Sequence, residues 1–197
     1  MARIAPESLL SLEAYARERN AIRSRVIAHK QLRTLHVGDH LTLLFEDEQT
    51  IRYQVQEMLR IERIFEDEGI RGELEAYNPL IPDGGNLKAT MMLEYPDAED
   101  RRRKLAGLKG IEDRTWVQVD GPDGPMRRVF AIADEDLDRE NEEKTSSVHF
   151  LRFELDEAMR AALKGGAGLR VGVDHPNYRV SAAVGPEMRR SLAGDLA

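Results

Sequence analysis

The sequence contains no cysteine, only 6% aromatic residues and no long apolar run. Without cysteine, the chain itself cannot form a disulfide, hold an iron–sulfur cluster through thiolates or use a thiolate nucleophile. A helix that spans a bilayer needs about 20 consecutive apolar residues, and no such run is present. Glu7 and Glu13 interrupt the N-terminal region, which therefore lacks the apolar core of a signal peptide. We expect a cytoplasmic protein that does not bind membranes.

The chain is acidic, with a formal net charge of -7. Negative charge disfavours binding to nucleic-acid phosphates, and the scarcity of aromatic residues disfavours stacking on bases. We therefore expect no nucleic-acid partner. Basic residues nevertheless concentrate in one early helix, which carries Arg19, Arg23 and Arg25. Charge of one sign steers association with an oppositely charged partner. The segment therefore predicts a docking surface for an acidic protein. The alternative is that these arginines pair with acidic residues of the same chain, at 66–68 or 134–143.

Helix and strand patterns alternate along the chain without repeats, which predicts an α+β fold. We expect an N-terminal helical segment at 1–36, interrupted near Asn20, packed on a single α+β domain at 37–197. Apolar residues at three- and four-residue steps predict one long helix of about five turns that ends at Gly69.

Period-two alternation between 87 and 95 predicts a half-buried strand. The stretches "RTWVQV" and "RRVFAIA" flank a turn-rich segment and predict a hairpin. An acidic helix is expected near 135–143. Pairs of strands mixed with helices favour a mostly antiparallel mixed sheet covered by helices.

One β-α-β unit is expected near the C-terminus, with a strand at 147–155, a helix at 156–164 and a strand at 168–174. Such strands are parallel if they join the same sheet. Alternation places His149 and His175 on the apolar strand faces. Parallel strands would hold the two imidazoles about 15–20 Å apart, too far to share a metal. We interpret each as a hydrogen-bonded histidine at the rim of the core, with separate ligand or acid–base roles as the alternative.

Complete catalytic motifs are absent: the sequence has no nucleophile elbow, no His-Glu-x-x-His and no Gly-rich phosphate loop of known spacing. We therefore predict no metal and no cofactor. Besides the two strand histidines, the candidates for catalysis are Arg152, Glu57 and Tyr77. The turn-rich stretch "YNPLIPDGGN" supplies candidate binding residues, which are Asn78, Asp83, Gly84, Gly85 and Asn86.

Several long stretches together resemble one bacterial family, domain of unknown function 3501. They are "VIAHKQLRTLHVGDHLTLLFEDEQTIRYQVQEMLRIERIFE", "AYNPLIPDGGNLKATMMLEY", "AIADEDLDRENEEKTSSVHFLRFEL" and "GVDHPNY". The resemblance implies no assigned reaction, cofactor or catalytic residue. Members of the family tend to be encoded beside rubrerythrin-like proteins and iron–sulfur oxidoreductases, so the resemblance implies an association with redox or peroxide stress.

Two functional hypotheses follow from these observations. The first is a non-catalytic accessory protein that docks onto an acidic redox partner through the basic helix. The second is an enzyme or small-molecule-binding protein whose pocket lies near the Tyr77–Asn86 loop and the strand-end histidines. A homodimer is compatible with both. A closed pocket lined by those side chains would favour the second hypothesis, and a flat charged face the first.

Overall fold

The computed structural model describes residues 3–133 and 145–197, which form helices packed around antiparallel sheets. The helices of the described residues are α1 (Leu12–Gln31), α2 (Glu48–Glu62), α3 (Asp67–Tyr77), α4 (Ala98–Ala106), α5 (Glu157–Lys164) and α6 (Pro186–Ala193). The strands are β1 (Thr34–His36), β2 (Leu41–Phe45), β3 (Asn86–Leu93), β4 (Thr115–Gly121), β5 (Gly124–Pro125), β6 (Val129–Phe130), β7 (Val148–Glu154), β8 (Leu169–His175) and β9 (Tyr178–Ala183). Every strand ladder in these residues is antiparallel, which confirms the predicted α+β class.

Two curled sheets enclose the main core. The first has the order β1-β2-β3-β7, and the second has the order β5-β4-β8-β9 with β6 also paired to β4. A single bridge between Ile132 and Arg152 joins the β6 segment to β7, so the two sheets meet along one side. The predicted hairpin is confirmed by the pairing of β4 with β5 and β6.

Strand β2 is buried on both faces, and β3 is buried on both faces only from Asn86 to Ala89. The predicted half-buried strand is therefore confirmed in the second half of β3, where Thr90 and Met92 are partly exposed. The odd-numbered residues of β2 and β3, such as Leu43 and Met91, enter the main core between the sheets. The opposite face of the first sheet lies beneath the N-terminal helices, which form a second apolar cluster with Ile51, Val55 and Leu59 of α2. These three recur at four-residue steps, so the helical pattern in this segment is confirmed.

The predicted end of this helix was wrong. Helix α2 ends at Glu62, and Arg63 adopts the left-handed conformation with φ 55°. The backbone N–H of Ile64 then donates to Leu59 O at 2.9 Å, which turns Ile64 back toward the second cluster. Gly69 instead lies within α3. The predicted interruption near Asn20 was also wrong, because one exposed asparagine costs a packed helix well under about 1 kcal/mol.

The strand–helix–strand order near the C-terminus is present, but its two strands are not neighbours. Strand β7 belongs to the first sheet and β8 to the second, so the condition for a parallel pair is not met. The expected placement of His149 and His175 at opposite ends of one sheet was therefore wrong. The acidic helix expected near 135–143 lies outside the described residues.

Tyr178 links the outer strand of the second sheet to the turn between β1 and β2. Its hydroxyl donates to Val37 O at 2.8 Å and accepts from the backbone N–H of His40 at 3.3 Å. Gly38 in this turn has φ 76°, and a Cβ there would lie 2.8 Å from the Tyr178 hydroxyl. Glycine is therefore required at this position for both conformational and steric reasons.

Within residues 3–133 and 145–197, no helix combines the length and the apolarity that a membrane crossing demands.

Candidate functional site

The first half of helix α1 is joined to the second half of α2 by a charged network around Glu57. Its carboxylate accepts hydrogen bonds from Arg19 Nε at 2.7 Å, from Arg19 Nη2 at 2.9 Å and from the hydroxyl of buried Tyr15 at 2.7 Å. Arg60 adds a further contact at 3.1 Å. The Arg19 hydrogen bonds, with those of Tyr15 and Arg60, lower the pKa of Glu57 to about 2, and burial raises the pKa of Tyr15. Glu57 is thus held as a carboxylate that fastens the two helices.

The end of α1 is fixed by Arg33, whose side chain is only 1% exposed. Its guanidinium donates to Phe45 O at 2.9 Å, to Ser191 Oγ at 2.9 Å and to Asp195 Oδ2 at 2.5 Å. Burial raises the pKa of Asp195 to about 6, although the neighbouring Arg33 charge opposes this shift. Arg33 therefore ties α1 to strand β2 and to the C-terminal helix α6.

A cleft of about 460 Å³ lies between α1 and α2, and we call it the α1–α2 cleft. Its walls are mainly apolar and aromatic, formed by Tyr15, Ile22, Val26 and Tyr53. Arg25 and Arg52 stand among its polar lining residues, with Glu18, Gln49 and Gln56. An apolar floor with a few convergent polar groups is the usual composition of a binding site.

The two arginines of the cleft differ in their partners. Arg52 is engaged by Glu48 Oε1, 2.7 Å from Nε, and by Ser8 O at 2.8 Å. Arg25 is exposed, and no ion pair or hydrogen bond reaches its side chain from the described part of the chain. Its guanidinium thus stands at the edge of the apolar cleft, unengaged by any of the described residues.

The three arginines predicted to form one docking surface are separated by the helix geometry. Arg19 is paired internally with Glu57. Arg23 and Arg25 are two positions apart, and so project about 200° from each other around the helix axis. Only Arg25 lines the cleft, although both are exposed. The internal partner of Arg19 is Glu57, not the acidic residues at 66–68.

The Tyr77–Asn86 loop uses its predicted binding residues to hold its own shape. The Asn78 amide bonds to Ile4 N at 2.9 Å and to Ile4 O at 3.0 Å. Asp83 Oδ1 accepts from Gly85 N at 2.8 Å, and Asn86 Oδ1 accepts from Asp83 N at 3.2 Å. These are turn-stabilising contacts of the kind that Asx residues make.

A shallow cleft of about 620 Å³ does lie beside this loop, with Asp83 and Gly84 on one side and Asp47 and Asp195 on the other. Gly84 O is already used by the backbone N–H of Ala197 at 2.9 Å. Neither strand-end histidine lines this cleft, so the loop and the histidines of the second hypothesis lie apart.

Both strand histidines are buried and hydrogen-bonded, as expected. His175 Nε2 lies 3.1 Å from Lys109 O, and its Nδ1 accepts from Asn177 N at 3.2 Å. His149 Nε2 lies 3.0 Å from Thr145 Oγ1. Glu112 Oε2 stands 3.9 Å from the same nitrogen of His149. Both rings therefore contact the connection between α4 and β4. They meet there because β7 and β8 belong to different sheets.

The other catalytic candidates lie elsewhere. Arg152 pairs with Glu154 on the same strand. Tyr77 is half-buried against the second apolar cluster. The five catalytic candidates therefore do not share one cavity. Within the described ranges, no three His, Asp or Glu side chains are grouped so that they could hold a metal ion.

Sequence reasoning missed Arg52 and Tyr53 as cleft residues. The signal was present in α2, where Ile51, Val55 and Leu59 define the face toward the second apolar cluster. Tyr53 lies about 160° from Val55 around the helix axis and so faces away from that cluster, toward α1. A large aromatic residue on the polar side of an amphipathic helix is a detectable sign of a second contact.

Comparison with known proteins agrees with the fold. A family model described as "Protein of unknown function (DUF3501)" matches residues 3–196. A protein from Burkholderia pseudomallei, whose crystal structure is described as that of a novel protein of unknown function, is 55% identical over 100% of both chains, with a TM-score of 0.93. No curated protein matches the chain.

Proposed function

The chain belongs to the DUF3501 family, and we propose that it is a non-catalytic accessory protein that docks onto an acidic redox protein through the α1–α2 cleft. The observation that carries this proposal is Arg25, an exposed guanidinium at the edge of an apolar cleft with no partner in the described residues. By contrast, Arg19 of the same helix and Arg33 just beyond its end are each bound by a carboxylate.

The chemistry of the cleft defines the contact that it would make. Arg25 offers a charged hydrogen bond to a carboxylate, and Ile22 and Tyr53 offer an apolar surface next to it. A partner segment that carries an acidic residue beside an apolar side chain satisfies both features at once. Contacts of this kind, an aromatic and an arginine together, dominate the affinity of many protein interfaces.

The redox class of the partner is supported by the family resemblance, because family members tend to be encoded beside rubrerythrin-like proteins and iron–sulfur oxidoreductases. The acidic nature of the partner is supported by the charge of Arg25. The negative charge of the whole chain favours a local contact, since a partner that is acidic over its whole surface would be repelled elsewhere.

Charge reversal at two positions of α1 tests the proposal. Binding of the purified rubrerythrin-like protein of the same organism would be measured by calorimetry with Arg25→Glu and with Arg23→Glu. Both substitutions change the net charge equally and both sites are exposed, but only Arg25 lines the cleft. We expect Arg25→Glu to weaken binding by about tenfold or more, and Arg23→Glu to change it by less than about twofold.

Thermal unfolding of both variants provides the control for folding, and both midpoints should stay near that of the unmodified protein. Equal losses of affinity in the two variants would indicate that the net charge of the surface governs binding and that the cleft does not. Unchanged affinity in Arg25→Glu, or no binding by the unmodified protein, would contradict the proposal.

A further inference from the structure

A second cleft, of about 680 Å³, lies where β2 begins and β3 ends. We call it the His40 cleft, and the residues with ionisable side chains that line it are Asp39, His40, Glu94, Tyr95 and Arg101. The backbone N–H of Glu94 donates to His40 O at 2.8 Å, which holds the two strand ends together. It is distinct from the α1–α2 cleft, and none of its residues was predicted from the sequence.

The imidazole of His40 is held in one orientation by two independent contacts. Its ring stacks on that of Tyr95, with centroids 4.3 Å apart and an interplanar angle of 27°. Its Nδ1 lies 3.1 Å from the carbonyl oxygen of Glu94. Because a carbonyl oxygen can only accept, Nδ1 carries the proton, and Nε2 of the neutral ring is a hydrogen-bond acceptor.

The carboxylate of Glu94 is oriented in the same way. Its Oε2 accepts from Thr42 Oγ1 at 2.5 Å. The Thr42 hydroxyl has one proton and gives it to Glu94, so its oxygen accepts from His36 Nδ1 at 2.9 Å. This chain of hydrogen bonds fixes one carboxylate oxygen and leaves Oε1 without a partner in the described residues.

The cleft contains one cation and two anions. Arg101 donates to Tyr95 O at 3.4 Å, which places its exposed guanidinium beside the cleft. Asp39 and Glu94 supply carboxylates, and Leu93, Tyr95 and Pro96 supply apolar surface. A simple anion would meet two negative charges, and a simple cation would leave Arg101 unpaired, so a ligand that carries both charges complements this lining best.

We propose that the His40 cleft binds a small zwitterion of the α-amino acid class. Its carboxylate pairs with Arg101, and its ammonium group pairs with Glu94 and Asp39. Its side chain lies against Tyr95 and Pro96, with a hydroxyl or amide group donating to His40 Nε2. Serine, threonine and asparagine therefore bind more tightly than alanine, because only they can satisfy this acceptor.

Amide NMR titration of the full chain with L-serine, L-threonine, L-asparagine and L-alanine tests this proposal. We expect saturable shifts at residues 39–41 and 93–96 below about 10 mM ligand, with alanine weakest. Two probes that each lack one charge, L-serinamide and 3-hydroxypropionate, should bind about tenfold more weakly or not at all.

A matched pair of variants on α4 assigns the cation. Arg101→Met should weaken serine binding by about tenfold or more, whereas Arg103→Met should leave it unchanged, since Arg103 pairs with Asp100 at 2.6 Å and does not line the cleft. Thermal unfolding should show both variants folded. The absence of saturable binding for all four amino acids, equal binding of the singly charged probes, or equal effects of the two variants would each overturn the proposal.

Discussion

Two arginine–carboxylate pairs fix α1, one in the first half of the helix and one just beyond its C-terminal end, and the pKa values of their carboxyl groups shift in opposite directions. Arg19 and Glu57 meet where the side chains are 30% and 15% exposed, and the pKa of Glu57 is lowered to about 2. Arg33 and Asp195 meet where Arg33 is 1% exposed, and the pKa of Asp195 is raised to about 6. Hydrogen bonds led by those of Arg19 outweigh burial at Glu57, whereas burial outweighs Arg33 at Asp195, so an arginine partner does not by itself decide the sign of the pKa shift.

A third arginine of the same helix completes the comparison. Arg25 has neither a carboxylate partner within the described residues nor burial, and it lines an apolar cleft. The two paired arginines hold α1 to its neighbours. Of these three side chains, only that of Arg25 has no partner among the described residues.

The largest expected effect is at the buried pair. Arg33→Met should lower the free energy of unfolding by about 3–5 kcal/mol, because Asp195 would be left buried without its partner. Urea denaturation at neutral pH measures this change. A loss below about 1 kcal/mol would show that the buried pair contributes little to stability and that the two pairs do not differ in this respect.

The raised pKa of Asp195 predicts a specific pH dependence. The folded pKa of about 6 exceeds the ordinary aspartate value of 3.8, so the folded chain takes up a proton first as the pH falls. Stability from this group therefore increases as the pH falls from 7 to 5, by about 1.5 kcal/mol, and is lost as the pH rises through 6.

Asp195→Asn tests this dependence, since it removes the titration while keeping a carbonyl oxygen for Arg33. Comparing urea denaturation of both proteins at pH 7 and pH 5 isolates the contribution of Asp195. Parallel stability curves for the two proteins over this range would contradict the assignment.

The smallest stability effect is expected at the more exposed pair, with the opposite pH dependence. The folded pKa of Glu57 lies below the ordinary glutamate value of 4.5, so its stabilising contribution is present above that value and is lost as the pH falls toward 2. Glu57→Gln should cost about 1 kcal/mol at pH 7 because solvent screens the pair. The difference in the free energy of unfolding between the variant and the unmodified protein should decrease as urea denaturation is repeated at lower pH. A difference that increases at lower pH would refute this assignment.

Periodicity in the sequence predicted which faces are buried, but not which distant groups meet. The core face of α2, the alternation of β3 and the burial of His149 and His175 follow from spacing alone. The separation of β7 and β8 into different sheets does not follow from spacing, because spacing does not indicate which strands pair.

The candidate sites show the same division. The basic composition of α1 was visible in the sequence, but the pairing of Arg19 with Glu57 joins residues 38 positions apart. His40 gave no signal because its role depends on Tyr95 and Glu94, which reach it only through the pairing of β2 with β3. The left-handed conformation of Arg63 could not be predicted from the sequence either, since glycine is the usual residue at such helix ends.

Docking through Arg25 can be observed by NMR of the Nε–Hε resonances of Arg19, Arg25 and Arg33, at low temperature and mildly acidic pH, while the purified acidic redox partner is added. We expect the Arg25 resonance to shift and saturate with the partner, while those of Arg19 and Arg33, bound to Glu57 and Asp195, stay in place. Saturable binding with an unchanged Arg25 resonance, or with a shift at Arg19 instead, would show that the partner does not dock through Arg25.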